Sequence, residues 1–564
     1  MLTCVEVVLR ERPQVLGLAH VCRQLDAFLD FSLAWTVKRA CTLPSLHLVR
    51  RILDRDALEP PGSLRRDPFF KQWQFSNGVV SAATAGNVEL AQALVGLFPG
   101  CRVPVAAAVP AVRGGHLPFL RWLYDRSLDP RYWSCWAVEL AIKGNHFETA
   151  RWLQEETTPS PSNCGWPTAA AKNGNLEIVK WAIKQDEGNA TYALQAAVEE
   201  GHEDILAWVF ENYHFGIAFT LKLDETAGNG HLDTLRWMVT NYRDRCRFFY
   251  GMHEAAVNGH LDVVQWLHEN GLGRCNITTF NETAGHGHLD VVQWLHANYD
   301  LYCWERAMDL AAERGFLDVV RWLHDNRSEG CSTAAMDGAT KNGHLEVVRW
   351  LHENRVEGCT TKAMDRAASS GHLAIVEWLH DNRQEGCSVR AMDRASRNGH
   401  LEVVQWLHAN RTEGCTSSAM DDAAAQGHLD VVKWLHENRA EGCSQAAMSD
   451  AAINGHLDVV KWLHLNRTEG CRENTMDDVA SRGHFDVVKW LHWNRSEGCT
   501  TKAMDNAASG GFFDIVFFLQ RERSEDCTSE AVERVAGRGS WEYLPWFRLH
   551  YPAQFEASGV HYPM

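Results

Sequence analysis

The side chains in this sequence that could do chemistry are histidine, cysteine and pairs of opposite charge, and each recurs in a fixed place. There are 28 histidines in 564 residues. In the stretch Ala335–Thr360, AMDGATKNGHLEVVRWLHENRVEGCT, His344 follows a glycine and His352 ends a Trp-Leu-His triplet. Eight residues along one helix is about 12 Å, too far for two imidazoles to share a metal ion. Both read as structural or capping residues, with pH-sensitive contacts as a second reading because histidine titrates near neutrality. Of the 17 cysteines, Cys246, Cys275, Cys303, Cys331, Cys359, Cys387, Cys415, Cys443, Cys471, Cys499 and Cys527 form one column. Stacked units stand about 8–10 Å apart, and a disulfide needs Cα atoms within about 7 Å. The column therefore reads as small buried hydrophobes in a reducing compartment. Arg355 with Glu357, Arg383 with Glu385 and Arg411 with Glu413 read as exposed loop pairs that set loop shape, each contributing about 0–1 kcal/mol. The sequence carries no GxxxxGK[ST], GxSxG, HExxH or CxxC motif, so the expectation is a non-enzyme with no cofactor and no metal site.

The positions that vary between copies carry charge. Lys341, Lys362, Arg366, Arg390, Arg394 and Arg397 are basic; Asp422, Asp450 and Asp478 are acidic. Helical geometry puts them on one surface. They read either as an ordinary solvated face or as a bipolar groove that orients a protein partner by complementary charge.

What positions these residues is a repeat. Glycines recur every 28 residues from Gly259 through Gly343 and Gly371 to Gly539, and a fixed period in this range marks a stacked array. In one copy Ala335, Met336 and Ala339 have helical spacing, with Ser332 or Thr333 placed to cap the helix and Gly343 to end it. Leu345, Val348 and Leu351 mark an apolar face on a second helix, with Glu346 and Arg349 opposite. Asn354 can close that helix and Gly358 supplies the turn back. Neither helix reaches the roughly 12–15 residues that are marginal alone, so each pair must bury its face against its neighbours. Tryptophan recurs from Trp122 to Trp490 and again at Trp546. It reads as an inter-repeat packing column in which truncating one buried indole costs roughly 3–5 kcal/mol.

Net charge is −17, with 45% hydrophobic and 23% charged residues. That balance predicts a soluble chain with no nucleic-acid partner and no membrane partner. No apolar run approaches the 18 or so residues of a membrane span, and MLTCVEVVLRERP does not read as a signal peptide. The expected location is cytoplasmic or nuclear, and the expected state a monomer. Residues 1–32 read as an N-terminal helical cap, 33–76 as a degenerate first repeat plus an insertion, 77–258 as irregular repeats, 259–548 as the regular array with a degenerate C-terminal cap, and 549–564 as a tail. Phe512, Phe513, Phe517 and Phe518 read as a greasy unit packed on the last pair, Glu530 to His550.

The pattern AAxxGHLEVVxWL resembles the ankyrin repeat, and KAMDRAA at Lys362–Ala368 is similar to that family's first-helix motif TPLHxAA, with Met364 in place of Leu and Asp365 in place of His. The resemblance covers roughly residues 33–548 and is similar to the expanded ankyrin families of water moulds and large DNA viruses. The period of 28 falls short of the family's 33 or so. The resemblance implies an all-α ankyrin-type helix-turn-helix solenoid of about 18 repeats with trimmed hairpin loops. It also implies a non-enzymatic scaffold that binds a protein partner on its first-helix face. The alternative is a substrate adaptor of a ubiquitin ligase, with an F-box-like segment in residues 1–32. Leucine-rich repeats share the period but need an LxxLxLxxN strand; tetratricopeptide repeats run to about 34 residues with a proline between units. Neither pattern occurs here.

Overall fold

The computed structural model describes residues 36–43, 45–59, 64–127, 135–157, 165–185, 190–215, 219–299 and 305–561. The N-terminal cap and F-box-like readings, Pro44, the Pro60-Pro61-Gly62 turn, Cys303 and the last three residues lie outside them. The described chain is a succession of short helices in pairs. In one copy the first helix is Thr333–Lys341 and the second Leu345–Asn354. Ser332 caps the first, its Oγ accepting from the Ala334 N–H at 3.1 Å. Asn354 closes the second, its Nδ2 donating to the Trp350 carbonyl at 2.9 Å.

The first helix buries every residue from Ala335 to Thr340. It packs between the first helices of the copies on either side, and only small side chains permit so close an approach on two flanks. The second helix buries Val347, Val348 and Leu351. Leu345 is only half-buried, so the apolar arc is centred one residue further along than the i, i+3, i+6 spacing suggests. Among the described residues the extended pairing is one parallel bridge, with Leu221 opposite Cys246 and Lys222 opposite Arg247. The architecture is therefore an all-α repeated solenoid whose hairpin loops are reduced to turns.

The chain divides into two compact units. One is formed by residues 174–179 and 188–510 and contains most of the regular 28-residue copies. The other draws residues from both ends of the chain, 1–173, 180–187 and 511–564. In it, much of the span read as an insertion is helix Pro68–Thr84, started by Asp67, whose Oδ1 accepts from the N–H groups of Phe69 and Phe70 at 2.7 and 3.2 Å. Proline at the first helical position has no N–H to leave unpaired there. This helix lies against Phe513–Glu522. The Phe70 ring meets Phe517 edge-on at 6.5 Å, Tyr543 stacks on Phe513 at 3.7 Å, and Trp546 meets Phe517 at 5.0 Å. Phe513 and Phe517 thus pack on the last pair, and Phe517 is covered by helix Pro68–Thr84 as well.

Candidate partner-binding face

The first-helix surface can hold a ligand only if the array behind it is rigid, and four side-chain columns make it so. One is an aspartate. Asp337, in the middle of its helix, is 4% exposed. Its carboxylate accepts from the Thr360 N–H at 2.8 Å and from Thr360 Oγ1 at 2.6 Å. Thr360 Oγ1 in turn accepts from the Lys362 N–H at 3.2 Å, which caps the next first helix, Thr361–Ser369. The same joint links Asp309 to Ser332, Asp365 to Ser388, Asp393 to Thr416, Asp421 to Ser444 and Asp477 to Thr500. Sequence reasoning missed this role and saw Asp365 only as a departure from histidine. The signal was available, because an acid in one column is followed 23 residues later by serine or threonine. One joint differs. Ser449 replaces the aspartate and Arg472 the hydroxyl residue. There the Arg472 N–H donates to Ser449 Oγ at 2.9 Å, Thr475 Oγ1 donates to Ser449 Oγ at 3.1 Å, and the Arg472 guanidinium pairs with Asp450.

The loop pairs are not the exposed pairs expected from sequence. Arg355 and Glu357 are each only 23% exposed, because each arginine lies over the loop of the preceding copy. A Cβ at Gly330 would collide with the Arg355 guanidinium. Arg355 Nη1 donates to His324 Nδ1 at 3.4 Å while its Nη2 pairs with Glu357. Arg383, Arg411 and Arg439 repeat this on His352, His380 and His408. The Arg383 hydrogen bond holds Glu385 below the usual carboxylate range against opposing burial. In Glu413 burial pushes upward, but Arg411 and backbone N–H groups outweigh it and its carboxyl titrates at about 2.

The same histidines meet the tryptophans. His324 lies edge-on to Trp350 at 5.2 Å, and His352 to Trp378 at 5.2 Å. The column does bridge copies, but its indoles in the regular block are half-buried rather than buried, since they sit on the outer edge of the second helix. The full truncation cost expected for a buried indole applies to Trp122, Trp152 and Trp546, at 6%, 9% and 1% exposure. The cysteine column is only partly inward: Cys331, Cys359 and Cys415 are buried, whereas Cys275, Cys387, Cys443 and Cys499 are half-buried. Burial pushes the Cys359 thiol up to about 12.

Gly343 is needed twice over. Its φ is +85°, and a Cβ would come within 2.8 Å of the His372 ring, so only glycine meets both demands. His344 does not cap its helix; like His372, it packs on the glycine of the copy before it. Burial lowers the pKa of His344, His400 and His484. A lowered folded-state pKa means that the unfolded chain binds protons first. The stability these rings contribute is complete above about 6.5 and is lost as the pH falls through their lowered values. The loop glutamates, also lowered, lose theirs only below about 4.5, towards 2. Thermal melts of the full chain are expected to show Tm falling first as the pH drops below about 6.5, then again below about 4.5. A flat Tm down to the carboxylate range would refute the histidine contribution.

The nine charged residues read from sequence lie on consecutive first helices. Lys341 is on Thr333–Lys341; Lys362 and Arg366 are on Thr361–Ser369; Arg390, Arg394 and Arg397 are on Arg390–Arg397. Asp422, Asp450 and Asp478 are on Ser418–Ala425, Gln445–Ile453 and Thr475–Arg482. Their neighbours differ by sign. Lys341 approaches Glu313 at 4.0 Å. Asp450 is paired with Arg472, and Asp478 accepts from Asn474 Nδ2 at 3.0 Å. Burial pushes Asp422 up, with the Arg397 charge opposing and Asp421, Asp393 and Asp450 adding to the rise. Among the described residues no group of three histidine, cysteine or acidic side chains is placed to hold a metal ion, and no helix is long and apolar enough to cross a membrane.

Models of the ankyrin repeat family match this chain: ankyrin repeats (many copies) at residues 252–296, 331–380, 364–408 and 476–520, and ankyrin repeats (3 copies) at 392–477. No curated protein matches. Solved structures that align include the pentatricopeptide repeat protein PPR10 from maize, at 11% identity and TM-score 0.29, covering 98% of this chain and 93% of that one. A second, PPR10 in complex with an 18-nt psaJ RNA element, aligns at 12% identity and TM-score 0.30, covering 98% and 96%. At these scores the likeness carries no argument about what this chain binds. The expectation of no nucleic-acid partner nevertheless does not stand. It rested on the chain-wide charge of −17, a sum that does not describe a face on which cations gather. The period, the paired helices with their glycine turns and the matched spans agree, and residues 252–296 and 331–520 of this chain are divergent ankyrin repeats.

Proposed function

We propose that the chain is a non-enzymatic scaffold that binds a partner protein on its first-helix face. One observation carries the reading. The residues that recur from copy to copy spend their polar groups on neighbouring copies, as the Asp337–Thr360 joint and the Arg355–His324 contact do. The first-helix residues that vary from copy to copy, Lys362, Arg366, Arg390 and Arg394 among them, have no salt bridge among the described residues and are free to meet a ligand. The ankyrin repeats support a protein ligand, and fold alone does not name it. A photo-crosslinking residue at Arg394, compared with one at Lys433 on the outward edge of a second helix, tests the reading in cells of the source organism. Protein crosslinks are expected from the first position and not the second. Crosslinks from the second position alone would overturn the assignment of the face.

A further inference from the structure

The charged face is not symmetric in what it leaves unsatisfied. Two of its three acids are engaged, Asp450 by Arg472 and Asp478 by Asn474. Its basic half is not. The side chains of Lys362, Arg366, Arg390 and Arg394 have no hydrogen-bond or ion-pair partner among the described residues, and Arg397 has no ion pair. Arg366 is half-buried and the other four are exposed. In the loops of the same copies, Arg355, Arg383 and Arg411 are all ion-paired. The carboxylates on the two basic helices, Asp365 and Asp393, are turned to the joints with Ser388 and Thr416. Five cations on two adjacent helices of a chain with net charge −17 are thus left facing outward.

We propose that this basic half, Lys362, Arg366, Arg390, Arg394 and Arg397, is the docking site for an acidic, extended segment of the partner protein. The proposal rests on the scaffold reading above and names the chemistry of its ligand. The dimensions fit such a segment. Adjacent first helices stand about 8–10 Å apart, and an extended peptide in the polyproline II conformation advances about 3.1 Å per residue with three residues per turn, so every third side chain faces the same way. Carboxylates three residues apart therefore meet cations on successive helices. Within one helix, Lys362 to Arg366 and Arg390 to Arg394 are four residues apart, about 6 Å, so each carboxylate falls between two cations.

Two features favour a polypeptide over a nucleic acid strand. The helices Thr361–Ser369 and Arg390–Arg397 carry no aromatic side chain on which a base could stack. A uniformly anionic strand continuing along the face would also run onto Asp422, Asp450 and Asp478, whereas a protein segment can change sign after a short acidic stretch.

The probe is a short fluorescein-labelled peptide with glutamate at every third position and glycine and serine between, measured by anisotropy against the full chain. A matched lysine peptide and a labelled single-stranded RNA of mixed sequence serve as comparisons. The glutamate peptide is expected to bind, to weaken as salt is added, and to lose about thirtyfold in affinity in the double variant Arg366→Glu, Arg394→Glu, where two exposed attractions become repulsions. The lysine peptide is expected not to bind. Circular dichroism of the variant checks that the array is folded, and Arg366→Gln, Arg394→Gln gives an intermediate loss without repulsion. No binding of the glutamate peptide, equal binding by the folded double variant, or tighter binding of the RNA would each overturn the proposal. If the Arg394 crosslinks persist while the peptide fails, the acidic segment is wrong and the scaffold reading stands. If both fail, the scaffold reading falls with it.

Discussion

Asp337→Ala is expected to destabilise its repeat joint by about 3 kcal/mol. Two hydrogen bonds to a charged acceptor are lost, each contributing at least about 1.5 kcal/mol, and the Thr360 N–H is left without its partner. The effect is local before it is global. Stability in an array is a sum of unit and neighbour terms, so one weakened interface splits the unfolding transition. Hydrogen exchange read by mass spectrometry is expected to quicken in Thr333–Lys341 and Thr361–Ser369 while remote copies keep their protection. The chain also contains a natural substitute to transplant. Asp421→Ser alone is expected to destabilise its joint with Ser444; adding Ser444→Arg and Ala447→Thr rebuilds the arrangement of Ser449, Arg472 and Thr475, with Asp422 standing where Asp450 stands. Recovery of the unfolding midpoint in the triple variant is the expected result. A midpoint as low as that of Asp421→Ser would mean that the Ser449 joint depends on more than these three side chains.

The second large effect belongs to the unit that holds both chain ends. Phe517 is 2% exposed, and Phe517→Ala removes a ring that touches Phe70 and Trp546. Truncating a buried phenylalanine costs about 3–5 kcal/mol. Because the Phe70 contact joins residues far apart in sequence, the loss is expected to appear in two places: faster exchange in Phe513–Glu522 and in Pro68–Thr84. Phe517→Lys copies the residue that other repeats carry at this position, such as Lys461 and Lys489, and is expected to be worse, because a cation would be buried without a partner. Unchanged protection of Pro68–Thr84 in either variant would show that the contact between the ends adds no stability.

These two cases differ in how far each could be read in advance. The Asp337 joint was written in the chain as two columns, but the pairing of an acid with a hydroxyl 23 residues on has no helical period, so a search for helical faces passed over it. Phe517 was visible as an apolar residue at a polar position; that its cover came from Phe70 as well as from the last pair was not. The loop arginines were correctly paired with their glutamates, yet their burial was misjudged, because one copy considered alone does not show that the next copy's arginine lies across its Gly330.

The residue pattern by itself determined the repeat length, the two helices of each copy, the glycine turns and the identity of the varying surface. All of these follow from interactions within one or two copies, which a single strand of text displays. Only the tertiary structure decided which charges on that surface are spent and which are free. Arg472 reaches Asp450 while Arg366 and Arg394 reach no partner among the described residues, and that depends on how each side chain is placed between stacked helices. Electrostatic satisfaction is a property of distances between copies, and spacing along the chain does not contain those distances.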